Sequence, residues 1–485
     1  MRKRFEQQLT IGKRPIEETI IPISKRNGPL PALCAALKEI FVNPEWNEKV
    51  FKILDQAILS ENNNTGRPGM NLWQIFVLAQ VRLCQNISYD DLYYTANTDK
   101  LIRQLMGVES DFGLENENIG YQRIKDNVGL LTDETVKELN AVIVNFGHEV
   151  FKKKGTQALR LKTDSFVVES NVHFPTDYNL LWDASRKAVD MVSKLLKKND
   201  FPGWRKISDW HRELKNLVRS LGRASGSGGK EKEKRVKGAT RKYLAKAKAL
   251  LHKLELFRTA FQPENIRGEL IMLELSGFMQ LMKKQIDLVD RRILKGETIP
   301  HAEKIFSIFE NYTEWIAKGK KRPSVELGKK VGITTDQFHL IVDYQVMEHQ
   351  ADSQVVPELV ERILQGFTVD SWSFDKGYWH KENKELLAEK INTVILPKKG
   401  KCTKQEAEEE KTTLFRKLRH KHSAVESNIN ELEHRGLDRC PDRGYDHFTR
   451  YTGLAVCAYN LRKIGTECLA QEMKRQEARF SKKAA

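Results

Sequence analysis

The spacing of apolar residues divides the chain into stretches of different period. Positions 33–41 and 46–59 repeat every three to four residues and predict two helices. The composition of 61–69 (Asn, Thr, Gly, Pro) predicts a loop. Residues 72–83 are strongly apolar and predict a third helix; Ser88 reads as the N-cap of a fourth. Residues 30–150 are therefore expected to be all-α. At Ala158 the pattern changes: 158–169 partly alternates with period two and contains the β-branched pair Val167-Val168, a strand signal. Helical periodicity returns from 180 to 294. Strands are then predicted at 324–333 and 338–346, a helix at 353–364, a strand at 371–375, a helix at 381–390, a strand at 393–396 and a long helix at 405–434. Without the helical block 178–300, the order β, β, β, α, β, α, β, α is that of a mixed α/β layer fold interrupted once by a helical insertion. No internal repeat is visible.

Length and composition narrow the classes. A chain of 485 residues has room for roughly three domains of about 150 residues, which excludes a peptide factor or a minimal binding module. A hydrophobic fraction of 40% is enough for sizeable cores. No run of 18 apolar residues predicts a membrane span, and the basic start Met1-Arg2-Lys3-Arg4 leads into no apolar stretch, so no secretory signal is read. Six cysteines with no CxxC pair point to reduced thiols in the cytoplasm. With 82 Lys and Arg against 65 Asp and Glu, the net charge is +17, and polyanions are the expected partners.

That charge is concentrated. Residues 186–258 hold 22 Lys and Arg against 7 Asp and Glu, a net +15, and leave +2 for the rest of the chain. A Gly/Ser-rich link, 224–229, reads as a hinge between two amphipathic basic helices. Lys197, Lys198, Arg219, Arg223, Lys234, Arg235, Lys237, Arg241 and Lys242 are candidate contacts to a phosphate backbone, each neutralised phosphate releasing counterions. The alternatives are a solvated hairpin with a basic face, or an insertion that is structural or dimerising.

Three carboxylates fall at positions with chemical consequences: Asp164 on the first strand, Asp375 ending the strand at 371–375, and Glu426 on the late helix. Convergence at one sheet edge would suit hard divalent cations, which take oxygen ligands and substrate phosphate. Two such ions roughly 3.5–4 Å apart serve phosphodiester chemistry. The plainer readings are a cap or a surface charge for each acid. Asp343, also in an apolar strand, is a rival second ligand.

Several blocks carry a family resemblance. Phe374-Asp375-Lys376-Gly377-Tyr378 resembles the second-aspartate block of DDE transposases from bacterial insertion sequences, and Lys162-Thr163-Asp164-Ser165-Phe166-Val167-Val168-Glu169 their first-aspartate block. His422-Ser423-Ala424-Val425-Glu426-Ser427-Asn428-Ile429, followed by Gly436-Leu437-Asp438-Arg439-Cys440 and Tyr459-Asn460-Leu461-Arg462, resembles the glutamate block and the C-terminal helix. Trp315-Ile316-Ala317-Lys318-Gly319-Lys320 and Leu396-Pro397-Lys398-Lys399-Gly400 are similar to further blocks of the ISNCY-type group, and 66–108 to a small helical N-terminal domain. The resemblance implies a ribonuclease H-like mixed-sheet core, with Asp164, Asp375 and Glu426 as catalytic metal ligands for Mg²⁺, Mn²⁺ being a substitute. It also implies cleavage at the element's ends, freeing a 3′-OH that attacks target DNA with no covalent enzyme intermediate. Some relatives carry Tyr, Arg and Lys around the glutamate where this chain has Arg419, His422 and Glu433, so those roles are not carried over.

The organisation expected is a helical N-terminal domain (1–150) for DNA ends, a first core segment (155–177), a basic helical insertion (178–300) holding DNA next to the metals, the remaining core (301–465) and a tail (466–485). Helices 72–83 and 89–94 are candidates for end recognition. Lys318, Lys320, Lys376 and His422 join the candidate DNA contacts. Expected partners are double-stranded DNA, at the ends and in the target, and a second copy of the chain in a dimer or higher assembly; the location is the cytoplasm, nucleoid-associated when on DNA. The alternatives are a nuclease with the same core and a catalytically inactive, transposase-derived DNA-binding regulator.

Overall fold

The computed structural model describes residues 3–7, 14–23, 28–59, 69–109, 118–155, 157–197, 201–317 and 324–484, with side chains up to 479. The chain forms two compact units, Met1–Asn171 with Ile316–Ala485, and Val172–Trp315.

The first unit opens with seven helices: α1 (Pro29–Val42), α2 (Pro44–Leu54), α3 (Leu72–Gln85), α4 (Tyr89–Thr98), α5 (Lys100–Leu105), α6 (Tyr121–Val128) and α7 (Asp133–Val150). Their starts are written locally. Pro29 and Pro44 occupy first-turn positions, where a missing N–H costs nothing. Asn71 and Gln74 form a capping box on α3, and Ser88 caps α4 by accepting from the Asp91 amide. Every residue of α3 from Leu72 to Cys84 is buried. β1 (Leu159–Ser170) follows.

The second unit contains α8 (Asp177–Leu195), α9 (Ile207–Gly226), α10 (Lys232–Ala260) and α11 (Ile266–Val289). Leu181, Leu214, Leu221, Tyr243, Leu250, Phe257, Leu275 and Met282 are among the residues of its core. Burial at Leu214, Val218 and Leu221 on α9, and at Tyr243, Ala247, Leu250, Leu254 and Phe257 on α10, follows the helical repeat and leaves the basic positions outside. The link predicted at 224–229 is shorter than expected. Ala224, Ser225 and Gly226 complete α9, and the turn lies between Gly226 and Lys232.

The chain then gives β2 (Glu314–Ala317), β3 (Val325–Thr335), β4 (Ile341–Val346), α12 (Val356–Gly366), β5 (Val369–Phe374), α13 (Lys381–Lys390), β6 (Thr393–Ile395), α14 (Lys404–Lys411), α15 (Thr413–Leu432), β7 (Arg439–Cys440) and α16 (Tyr445–Ala484). The helix predicted over 405–434 is two helices. They break at Thr412, whose extended backbone and hydroxyl cap α15 at the Phe415 amide. Residues 466–484, expected as a tail, continue α16.

The sheet has the order β2-β3-β1-β5-β6, with β4 on β3 and β7 on β1. β1 is antiparallel to β3 and parallel to β5, and β5 is parallel to β6, so the fold is α/β with a mixed sheet. Strand alternation sorts the two faces. Leu159, Leu161, Trp372 and Phe374 share a core with Val356, Leu359, Val360 and Ile363 of α12 and Leu387 of α13. Arg160, Lys162 and Asp164 alternate with these leucines, and Ser371 and Ser373 alternate with the aromatics; α15 packs on β1 and β5 over that second face. The sheet is tied to the helices by a buried amide pair: Asn460 on α16 donates to Asn140 Oδ1 on α7 (2.8 Å) and accepts from the Ile341 amide (2.8 Å). Arg82 on α3 makes a bidentate pair with Asp442 (2.6 and 2.8 Å). All six cysteines are free thiols. Among the described residues, no helix is long and apolar enough to cross a membrane.

Candidate active site

β1 and β5 run parallel with Thr163 opposite Phe374, so Asp164 and Asp375 are the next residues on two neighbouring chains. Neighbouring strands lie roughly 4.8 Å apart. Asp375 is exposed where β5 ends, because a tight turn over Lys376–Tyr378 follows it and buries Tyr378. Gly377 in that turn has a steric role: a Cβ there would stand 2.8 Å from Asp352 Oδ2. Glu426 is exposed on α15, one position after Val425, which is fully buried.

Asp164 is the electrostatic centre of the group. Its Oδ1 accepts the Ser165 amide at 2.7 Å, which favours the charged form. Burial outweighs this, and the negative charges of Asp375, Glu426 and Asp352 add to it, so the carboxyl is pushed up to about 7. Three other carboxylates thus act on Asp164 at its half-buried strand position. Asp164, Asp375 and Glu426 offer hard oxygen donors of the kind a divalent cation takes, and such a cation would offset the negative charge around Asp164. Among the described residues, no three such side chains are already drawn into a metal-holding group.

Asp352 escaped sequence reasoning. It lies in a short turn, Asp352–Gln354, before α12, where neither periodicity nor a motif marks an acid as special. The fold carries it to β1: its Oδ1 accepts from Ser165 Oγ (2.8 Å) and Lys330 Nζ (3.1 Å). Tyr378 is 1% exposed, and burial, then the charges of Asp352 and Asp164, hold its phenol well above the usual tyrosine range. It packs as a neutral ring against Phe374 (centroids 5.5 Å apart) and is no nucleophile.

Other candidates separate clearly. Asp343, the rival ligand, is taken by Arg362 in a bidentate pair (2.9 and 3.1 Å). His422, expected near the scissile phosphate, is buried, with Nδ1 3.0 Å from Ser373 Oγ; burial pulls it down to about 4. The reason is its position with Phe415, Val425 and Ile429 on the apolar face of α15, so it pins helix to sheet instead of meeting solvent. Lys376 is exposed beside Asp375. In the second unit Lys197, Arg219, Arg223, Arg241 and Lys242 are exposed and form no ion pair among the described residues. Lys234 pairs with Glu231 and half-buried Lys237 with Glu233, while Arg235 donates to the Gly228 carbonyl. Lys198, Lys318 and Lys320 lie outside the described residues, as does most of the loop predicted at 61–69. Of the two helices considered for end recognition, α3 offers no surface because its sides are all covered, whereas α4 exposes Tyr93 and Tyr94.

Comparison with known proteins adds one finding. No curated protein and no solved structure matches the chain. Residues 283–461, a span that contains Asp375 and Glu426, match the family model of the transposase DDE domain. The matched segment begins after β1, so Asp164 lies ahead of it and meets the other acids only through the sheet. On that match residues 283–461 are similar to a transposase DDE domain.

Proposed function

We propose that the protein is an active transposase of the ISNCY-type group, with a ribonuclease H-like core. In this reading it cuts the ends of its element and joins the freed 3′-OH strands to target DNA. The observation that carries the proposal is the register of β1 and β5, which makes Asp164 and Asp375 neighbours, together with the influence of Glu426 on Asp164 across the same face. Asp164, Asp375 and Glu426 would hold Mg²⁺ or Mn²⁺. When bound, such ions activate the attacking oxygen and stabilise the leaving one.

The chain's own residues do the remaining work. β1 and β5 fix two carboxylates on a rigid sheet, a better support for a precise site than a loop. α15 brings the third, held by the contact of His422 with Ser373. Asp352, anchored by Ser165 and Lys330, adds negative charge without being a free ligand. Water or a 3′-OH is the nucleophile, so the neutral, buried Tyr378 has no chemical step. The exposed cations of α9 and α10 would hold duplex DNA through its phosphates, and exposed Tyr93 and Tyr94 on α4 are candidates for contact with the ends. Joining two ends calls for two copies of the chain on DNA.

The test is a plasmid carrying the gene between its native flanking sequences, with excised and joined products measured for wild type and Asp375→Asn. Product from wild type alone is the expected result, and a loss of at least a hundredfold is expected of the variant. Equal product from both would remove Asp375 from the site.

A further inference from the structure

A cavity of about 390 Å³ opens between α15 and the face of β1 and β5 that carries Asp164. It lies on the inner side of the acids: Arg160 and Lys162 precede Asp164 by four and two residues on β1, and Ser371 precedes Asp375 by four on β5. Two residues of strand advance roughly 7 Å. The lining holds three cations, Arg160, Lys162 and Lys421, and no Asp or Glu. None of the three forms an ion pair among the described residues. Gln337 closes one side. Its Oε1 accepts the Arg160 amide at 2.9 Å, which fixes the orientation of the side-chain amide, and its Nε2 is buried with no hydrogen-bond partner. Lys162 Nζ donates to the Asp336 carbonyl (3.3 Å), but an orphaned buried donor beside three cations without an ion pair is costly unless an acceptor is supplied.

We propose that this cavity is a phosphate-binding subsite that takes a backbone phosphate of a single DNA strand leading away from the carboxylates. A phosphodiester provides what the cavity lacks: negative charge for Arg160, Lys162 and Lys421, and acceptor oxygens for Gln337 Nε2 and the Ser371 hydroxyl. A cavity of about 390 Å³ has room for a phosphate with its sugar and not for a duplex. The carboxylate end and the cationic end of one sheet face then grip consecutive parts of one strand. This rests on the proposal that DNA is the substrate.

The experiment uses the full chain in EDTA, so that cleavage plays no part. Fluorescence anisotropy with a labelled single-stranded 12-mer is measured against salt for wild type, for Arg160→Ala/Lys421→Ala, and for a control lacking two exposed cations elsewhere, Lys381→Ala/Lys390→Ala. Calorimetry with inorganic phosphate is run on the same three proteins. The expected result is strand binding weaker by about tenfold in the cavity variant, a salt slope lower by about 1.4 for two lost contacts, phosphate binding abolished, and the control unchanged. Loss of phosphate binding with strand affinity intact would overturn the DNA assignment and leave a site for free phosphate. Equal losses in cavity variant and control, or no loss in either, would overturn the subsite altogether. A wild type that binds phosphate but no strand would defeat the DNA reading of the whole protein, whereas a cavity variant that binds the strand as tightly as a strand-binding wild type would defeat the subsite alone.

Discussion

His422 shows how a single side chain reports on its surroundings. An imidazole below α15, covered by β5, is neutral because burial disfavours the cation, and its pKa falls to about 4. Between that value and the ordinary histidine range the unfolded chain takes a proton that the fold excludes, so stability is present near neutrality and is lost as pH falls through the window. At pH 5 the difference is about 2 kcal/mol. Urea unfolding of wild type and His422→Asn at pH 7 and pH 5 should show wild type losing about 2 kcal/mol more than the variant; equal losses would mean that His422 is protonated in the fold. The sequence shows His422 four residues before Glu426, hence one turn away, but not which side of α15 faces the sheet. Asp352 was hidden for a related reason. Its partners Ser165 and Lys330 are 187 and 22 positions away, a proximity made by the β1–β3 pairing and invisible to local pattern.

At the scale of elements, the periodic stretches were readable because burial repeats along them. α3, α13 and β5 stand within a residue or two of the elements predicted at 72–83, 381–390 and 371–375. Short pairing segments were not readable: β7 has two residues, and its contact with Glu169–Ser170 depends on the chain returning after α15. The break at Thr412 was missed because Thr is tolerated inside a helical pattern and shows its capping role only through the hydroxyl bond to Phe415. The packing of α16 on α1 was equally out of reach. A Cβ on Gly465 would overlap the Ala32 carbonyl, so these helices touch backbone to backbone. Gly465→Ala is expected to cost about 1–3 kcal/mol through overpacking, seen as a lower thermal midpoint. Gly222→Ala on α9, where nothing lies within 4 Å of the added carbon, should instead be neutral or stabilising by about 0.4–1 kcal/mol. Stabilisation of both variants alike would show that helix propensity, not contact, governs them.

Across the whole molecule the charge is divided unevenly between the two units. The segment 186–258 carries a net +15, and in the second unit much of it lies on the outer faces of α9 and α10, away from a core that includes Leu214, Leu221, Tyr243 and Leu250. A helical bundle needs no such excess to fold, and the mutual repulsion of exposed cations costs stability, so the arrangement asks for a polyanion. Arg219, Arg223, Arg241 and Lys242 are the clearest carriers, being exposed and without ion pairs among the described residues. Their simultaneous replacement by Ala leaves the buried face of both helices untouched and should preserve the fold, checked by circular dichroism and thermal unfolding. If these four residues meet duplex phosphates, the plot of log affinity against log salt should flatten by about 3.6 for four lost contacts, uniformly across DNA sequences, because phosphate contacts position without specifying. Excision would fall with it at physiological salt and recover at low salt, where the remaining contacts suffice. An unchanged salt slope in a folded variant would assign the insertion to assembly or scaffolding instead, and sedimentation of the same variant on and off DNA would then show whether a second copy of the chain is what its surface holds.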